Sequence, residues 1–147
     1  MRARQTAPTA WMIVADGAAL GAAARLPRGS GIVLLRAVPA SLARQARRLA
    51  ARRGLVLVEE GRGARRVHNA RELRQAMLQR TPLILLSPLY RTATHPEWAP
   101  LPKMRAAALA RLGQRQLVAL GGMDAKRYAA VAALGFSGWA GISAFRT

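Results

Sequence analysis

Short apolar runs alternate along the chain with longer segments in which apolar residues recur every three or four positions. A run that is apolar throughout is typical of a strand buried on both faces, as in a parallel sheet, whereas the longer segments predict helices. Strands that alternate with helices form right-handed βαβ units. The pattern therefore predicts an α/β fold with one parallel sheet of seven strands. The strand candidates begin at Trp11, Gly31, Leu55, Val67, Leu83, Leu117 and Phe136.

Two of the apolar runs lead into loops of unusual composition: Leu83–Pro96, LILLSPLYRTATHP, and Leu117–Asp124, LVALGGMD. Gly121 and Gly122 allow the backbone to approach a ligand closely, and Asp124 is predicted to cap the helix that follows. A strand, a glycine pair and a helix start together form a cradle of amide N–H groups for an anion. The alternative is that this turn only connects a strand to a helix.

Local signals place several helix ends. Ser41 is predicted to cap a helix that stops at Gly54, and Asn69 followed by Glu72 resembles a capping box. Between the third and fourth strand candidates, Gly61–Arg66 is predicted to be a polar turn. The segment before the Leu117 strand is predicted to be a helix that contains Met104, Ala108 and Leu112.

A length of 147 residues and a hydrophobic share of 52% predict one packed domain, with residues 1–10 as an N-terminal arm and residues 11–147 as the domain. The chain has no cysteine, which excludes disulfides and thiolate metal sites. Its two histidines, His68 and His95, disfavour a histidine-based metal cluster. No run approaches the roughly 20 apolar residues of a membrane span, so we expect a cytoplasmic protein without a membrane partner.

The net charge of +18 is the strongest compositional feature, because 22 of the 24 basic residues are arginines and only six acids oppose them. Such an excess predicts a phosphate-rich partner, and nucleic acid is one alternative. No RNA-binding motif, zinc finger or interleaved aromatic pattern accompanies the arginines, so nucleic-acid binding is the less favoured interpretation. The densest group is predicted to face solvent on one helix: Arg44, Arg47, Arg48, Arg52 and Arg53.

Four stretches, in the same order along the chain, resemble motifs of the thiamine phosphate synthase and TenI family: VHNARELRQA, SPLYRTATHP, LVALGGM and GFSGWAGISAFR. The resemblance covers most of Val67–Arg146 and is weaker over residues 11–60. Members of this family are (β/α)₈ barrels, so the resemblance implies a parallel TIM-type barrel. One β/α unit is compressed near Gly61–Arg66, which leaves about seven. A barrel that lacks a unit leaves an open seam, re-pairs its strands, or is completed by another chain as a homo-oligomer.

The resemblance also implies an activity. The family's synthases are transferases that join hydroxymethylpyrimidine diphosphate to a thiazole phosphate and release pyrophosphate with Mg²⁺ as cofactor. The residues that would hold the thiazole phosphate are Gly121, Gly122, Ile142 and Ser143. The loop that meets either phosphate group would contribute Thr92 and Thr94. Arg36 would grip the diphosphate, His95 is a candidate for proton transfer, and Glu60 is a candidate Mg²⁺ ligand.

The chain departs from the family pattern around the diphosphate. Leu34 stands where the synthases have glutamine, no lysine follows Arg36, and Glu59-Glu60 replaces the Asn-Asp pair. His95 replaces a lysine, and Pro88 stands where the TenI tautomerases carry histidine, which disfavours that activity. Three interpretations therefore stay open: a synthase, a catalytically impaired binder of thiazole phosphate or thiamine phosphate, and a basic nucleic-acid-binding protein. The loop tryptophan Trp98 and the late Trp139 are predicted to be packing residues.

Overall fold

The computed structural model describes residues 7–92, 95–114, 116–142 and 145, and these form one sheet of seven strands flanked by helices. The strands are β1 Ala10–Val14, β2 Gly31–Leu34, β3 Val56–Glu59, β4 Ala64–Val67, β5 Leu83–Leu86, β6 Leu117–Leu120 and β7 Gly138–Gly141. The helices are α1 Gly17–Ala23, α2 Ala40–Arg53, α3 Ala70–Leu78, α4 Lys103–Leu112 and α5 Ala125–Val131, followed by a 3₁₀ turn, Ala132–Leu134.

The strands lie in the order β3-β2-β1-β7-β6-β5-β4, and every neighbouring pair is parallel. The sheet curls into a nearly closed barrel whose two edges, β3 and β4, meet along a seam. Only residues 60–63 connect these two strands, and a single parallel bridge joins Glu60 to Ala64. The predicted parallel α/β barrel of seven strands is confirmed, and in the described chain the connection between β3 and β4 contains no helix.

The stagger at the seam is that of a complete barrel. The stagger is found by following the pairing register once around the sheet. If the register is followed from Ala64 through the six strand pairs, it leads to the position of Arg52, which precedes β3. The bridge at the seam instead joins Ala64 to Glu60, eight residues further along the chain. A stagger of about 8 is the shear of (β/α)₈ barrels. Because all neighbouring strands are parallel, the loops that follow them lie at one end of the sheet.

Alternate residues of the strands fill the barrel interior, and the opposite faces pack beneath the helices. The Trp11 ring lies directly over Gly31, where a Cβ atom would collide with it. One outer cluster joins β1 and β2 to α1 and α2, and another joins β4–β7 to the later helices. The interior core is Trp11, Ile13, Val33, Ala64, Leu83, Leu85, Val118 and Ala140. This core closes the barrel, so ligands have access only at its rim.

The helix signals were confirmed where a single side chain or φ angle decides them. Gly54 ends α2 in the left-handed region with φ 67°, and the Asn69 Oδ1 accepts from the Glu72 N–H at 2.9 Å. The Ser41 cap was wrong, because α2 begins at Ala40 with Pro39 as its N-cap residue, two residues before Ser41. The predicted helix before β6 is confirmed as α4, which buries Ala106, Leu109 and Ala110, whereas Met104 is 88% exposed. Alanines on every side of α4 leave its orientation undetermined by pattern.

Within the described ranges, no helix is both long and apolar enough to span a bilayer. The longest helix, α2, has 14 residues and carries five exposed arginines on its outer side, as predicted.

Candidate active site

The carboxyl ends of all seven strands open onto one rim of the barrel, which is where barrels of this architecture place their functional loops. Two groups of residues stand out there. One lies after β6 and β7 and consists mainly of backbone amides. The other lies after β2, β3 and β4, beside the seam, and consists of charged side chains. They occupy opposite sides of the same mouth, because β1 separates β7 from β2 and β5 separates β6 from β4 in the sheet order.

The amide group is formed by two adjacent strand ends. Leu120 pairs with Ala140, so Gly121-Gly122 and Gly141-Ile142 leave the sheet at the same level. Gly121 and Gly122 have φ angles of 104° and 59°, and among the described residues neither of their N–H groups donates to a protein acceptor. The prediction that these strand ends are neighbours is confirmed. Ser143, predicted to complete the cradle, lies outside the described residues.

Close packing as well as φ requires glycine at both positions. A Cβ atom on Gly121 would lie 2.8 Å from the Pro88 Cα, and one on Gly122 would lie 2.8 Å from the Arg91 carbonyl oxygen. The loop after β5 is held there by hydrogen bonds from the Leu89 N–H to the Leu120 carbonyl at 3.0 Å and from the Tyr90 N–H to the Gly121 carbonyl at 3.1 Å. The β5 loop therefore fixes the backbone of the glycine pair from behind.

Arg127 adds a positive charge beside these glycines, which the sequence reasoning missed. Its Nη1 donates to the Gly122 carbonyl at 2.5 Å, and its guanidinium carbon lies 4.7 Å from the centre of the Tyr90 ring. Asp124 caps α5, as predicted, and accepts from the Arg127 N–H at 2.7 Å. The available signal was the arginine three residues after the capping aspartate, because that position lies in the first turn of the helix.

The charged group centres on Glu60, which follows β3. Its Oε1 accepts from the Arg36 backbone N–H at 3.1 Å, and its Oε2 accepts from the Arg66 Nε at 2.7 Å. The Arg36 guanidinium lies over Gly61, where it occupies the space that a side chain would need. Ala64 points into the barrel, so Arg66, two residues on, faces the same side at the rim. The sequence paired Arg36 with Glu60 but missed Arg66.

These side chains border an open cavity of about 530 Å³ at the seam. Besides Arg36, Glu60 and Arg66, its wall includes His68 and Trp98. Arginine guanidinium groups are planar and present several N–H donors, so two of them on one wall suit a ligand with several phosphate oxygens. The cavity is therefore lined by charged side chains and by the indole ring of Trp98.

A Mg²⁺ ion near Glu60 would need several free oxygen ligands. Among the described residues, no three His, Asp or Glu side chains converge on one point. Both Glu60 oxygens accept hydrogen bonds from arginine groups, and Glu59 instead pairs with Arg47 at 2.6 Å. This arrangement does not fit a resident Mg²⁺ ion. Magnesium binding by Glu60 stays a prediction.

Two of the predicted loop residues, Thr92 and His95, contact each other within the loop. The Thr92 Oγ1 accepts from the His95 N–H at 2.9 Å. The His95 ring stacks on Trp98 with 3.8 Å between ring centres, and the His68 ring meets the same indole edge-on at 6.3 Å. Thr94 lies outside the described part of the chain. The structure therefore joins His95 to the cavity only through Trp98, and its catalytic role stays a prediction.

The two tryptophans differ in environment. Trp139 is 7% exposed and stacks on Phe145 at 5.2 Å, so its predicted packing role is confirmed. Trp98 is 43% exposed and borders the cavity. Because the Trp98 indole is partly exposed and contacts two histidine rings, it does not lie in the core, and the packing prediction for it was incomplete.

Glu97 gives the loop a pH-dependent contact. The pKa of its carboxyl is lowered below the ordinary value, because the carboxylate accepts from its own backbone N–H and from the His95 side chain, against a small opposing effect of desolvation. The His95 Nδ1 lies 3.2 Å from the Glu97 Oε1. The charged form of Glu97 therefore helps to hold the His95 ring against Trp98.

Comparison with known proteins gives a match to one protein family. No curated protein matches the chain. The model of the TMP-TENI family, described as thiamine monophosphate synthase, matches residues 63–145, which is more than half of the chain. The match contains β4–β7 and the glycine pair, whereas Arg36 and Glu60 lie before it. The chain therefore belongs to the TMP-TENI family of thiamine monophosphate synthases.

Proposed function

We propose that the protein catalyses a thiamine monophosphate synthase reaction, joining hydroxymethylpyrimidine diphosphate to thiazole phosphate with release of pyrophosphate. The observation that supports this proposal is that two groups of N–H donors, the glycine pair with Arg127 and the arginines Arg36 and Arg66, lie at one barrel mouth. Family membership supports the same reaction class. A condensation of two phosphorylated substrates needs such a pair of sites, because each substrate must be held by its own phosphate group.

The thiazole phosphate belongs at the glycine pair. The amide N–H groups of Gly121 and Gly122, which donate to no acceptor among the described residues, would supply a partial positive charge to a phosphate, and Arg127 adds a full charge beside them. The neighbouring Ile142 lies level with Gly122 on the next strand and limits the width of the site. The thiazole ring then extends from this phosphate toward the centre of the mouth.

The diphosphate belongs at the opposite wall, against Arg36. In the reaction, the bond between the pyrimidine methylene carbon and the diphosphate oxygen breaks, and pyrophosphate leaves with the electron pair. The thiazole nitrogen donates its lone pair to the methylene carbon and becomes a quaternary cation, so no proton is lost in this step. Negative charge grows on the leaving group, and fixed arginines that meet that charge lower the barrier.

The direct test is to incubate the purified chain with both substrates, with and without Mg²⁺, and to measure pyrophosphate and thiamine monophosphate. We expect both products in equal amounts. The variant Gly122→Asp should lose most activity, because a carboxylate would stand in the cradle and a side chain would strain φ 59°. Gly21→Asp is the matched control, since a side chain at Gly21 meets nothing within 4 Å. Absence of pyrophosphate where a known synthase succeeds would refute the proposal.

A second candidate is a binder of thiazole phosphate or thiamine phosphate that does not turn over. The specific observation in its favour is that both oxygens of Glu60 are already occupied by arginine groups. In this case, titration calorimetry would detect thiazole phosphate binding that Gly122→Asp abolishes and Gly21→Asp retains, while the product assay stays blank. Equal affinity of the wild-type protein and Gly122→Asp would contradict both candidates at this site.

A further inference from the structure

We infer that this chain binds the diphosphate with a pair of arginines, Arg36 and Arg66, in place of a metal ion, and that Glu60 is the internal anion which the diphosphate displaces from Arg66. The inference rests on the proposed function and adds two things to it. It assigns a substrate-binding residue, Arg66, and it states that binding of the diphosphate does not require Mg²⁺.

The contacts of Glu60 carry the first step of the argument. A carboxylate that is to share a metal needs free lone pairs, yet one Glu60 oxygen accepts from the Arg66 Nε at 2.7 Å and the other from the Arg36 N–H at 3.1 Å. The Glu60 side chain is only 19% exposed, so these bonds are partly sheltered from water. Glu60 is therefore arranged as the counter-ion of a cationic site.

The charges at this wall give the second step. Arg36 and Arg66 line the same cavity, and Glu60 neutralises one of these two charges. Arg66 is 43% exposed and uses its Nε for Glu60, and among the described residues its other guanidinium nitrogens make no hydrogen bond, so they can meet a ligand. A diphosphate carries more negative charge than one carboxylate and several acceptor oxygens, so it competes well for both guanidinium groups. The wall thus supplies the compensating charge that a metal would bring.

The short connection at the seam explains why Arg66 is in place. Only residues 60–63 separate β3 from β4, and the bridge between Glu60 and Ala64 sets the two strand ends against each other. Arg66 follows Ala64 on the same side of β4, so its side chain reaches back across the seam to Glu60. The short connection without a helix therefore places a cation beside the diphosphate wall.

The experiment is calorimetric titration of the full chain with inorganic pyrophosphate, once in EDTA and once in excess Mg²⁺. We expect affinities in the two buffers that agree within about threefold. Arg66→Gln should weaken binding in EDTA by about tenfold or more, the usual effect of losing a charge-assisted hydrogen bond. Glu60→Gln should tighten it, because Arg66 is then released. Arg44→Gln, on the exposed face of α2, is the matched control and should leave the affinity unchanged.

Binding that appears only with Mg²⁺, an unchanged affinity in Arg66→Gln, or no binding in either buffer would overturn the inference. If Arg66→Gln does not fold, the wild-type comparison in EDTA and the Glu60→Gln variant decide the question. Failure of the inference is distinguishable from failure of the proposed function. A chain that binds pyrophosphate in EDTA but forms no product supports the arginine site and refutes the synthase. A chain that forms product yet binds pyrophosphate only with Mg²⁺ does the reverse.

Discussion

Arg127 shows how one side chain can serve two purposes at the same spot. Its Nη1 is bound to the Gly122 carbonyl, and the face of the guanidinium group lies near the Tyr90 ring. These two contacts hold the cation beside the amides that would receive a phosphate. A guanidinium that is already oriented loses less conformational freedom when an anion binds, so its contribution to affinity is larger.

Replacement of Arg127 by glutamine is expected to weaken binding of thiazole phosphate by about tenfold, because a charge-assisted contact is lost. Arg127→Lys should recover part of the loss, since it restores charge without the planar donors. Titration calorimetry measures both, and Lys126→Gln, an exposed neighbour, is the control. A parallel loss of thermal stability and affinity in Arg127→Gln would mean instead that the residue only supports the loop.

Residues that act through a distant contact were the ones that sequence reasoning missed. Gly121, Gly122 and Asp124 were recognisable because neighbouring residues in the chain define their roles. Arg66 gains its role from Glu60, which lies beyond the end of another strand. Arg127 gains its role from the Gly122 carbonyl, whose direction depends on the fold. In a chain with 22 arginines, composition alone cannot single out two of them.

At the scale of elements, the loop between β5 and α4 is organised by its own contacts. Arg91 donates to the Pro96 carbonyl at 2.7 Å, the Leu101 N–H donates to the Pro88 carbonyl at 2.9 Å, and His95 stacks on Trp98. The loop also backs the glycine pair through Leu89 and Tyr90. It therefore joins the two walls of the mouth, with Trp98 on one side and the glycines on the other.

Acid is expected to loosen this loop through Glu97. Its folded pKa is lowered from the ordinary value of 4.5, so the stabilisation from its charged form is complete above that value and is lost as pH falls through the lowered pKa. Tryptophan fluorescence should therefore change with a midpoint below pH 4.5, as Trp98 loses its stacked partner. Glu97→Gln and Trp98→Phe should each remove this transition. Persistence of the transition in Glu97→Gln would assign it to another group.

Helices illustrate which local signals decide a structure. Gly54 and Asn69 were predicted correctly because a left-handed φ and a side-chain cap act within one turn. The orientation of α4 could not be predicted, because Met104 and several alanines offer competing stripes and the sheet selects the one with Ala106 and Leu109. Tertiary packing overrides a weak pattern in such a helix.

At the scale of the whole molecule, the barrel depends on Trp11. This residue is 5% exposed, lies in the interior core and covers Gly31 on the adjacent strand. Trp11→Ala should lower the free energy of unfolding by about 3–5 kcal/mol, because a large cavity would open at the centre of the sheet. Denaturant unfolding measures the change, with Leu78→Ala as the control.

Leu78 is 84% exposed, so its replacement should change stability by less than about 0.5 kcal/mol. Similar losses in both variants would show that Trp11 does not carry the interior packing.

Six of the seven strands and their parallel direction were predictable from short apolar runs that alternate with helical segments, and β4 is the exception. The strand order and the stagger of the seam were not, because they depend on pairing between residues far apart in the chain. The turn at residues 61–66 was predicted as wholly polar loop, yet Ala64–Val67 forms β4. The segment ARRV forms a strand because it pairs with β5. Its two arginines give it no apolar pattern that would predict a strand.

The sheet order also divides the mouth between two consecutive portions of the chain. Residues up to β3 contribute Arg36 and Glu60, and residues from β4 onward contribute Arg66 and the glycine pair. These portions meet along the pairing of β1 with β7 and again at the short link of residues 60–63. Under the proposed function, the diphosphate would contact Arg36 from the first portion and Arg66 from the second, so its binding would join the two portions across the seam.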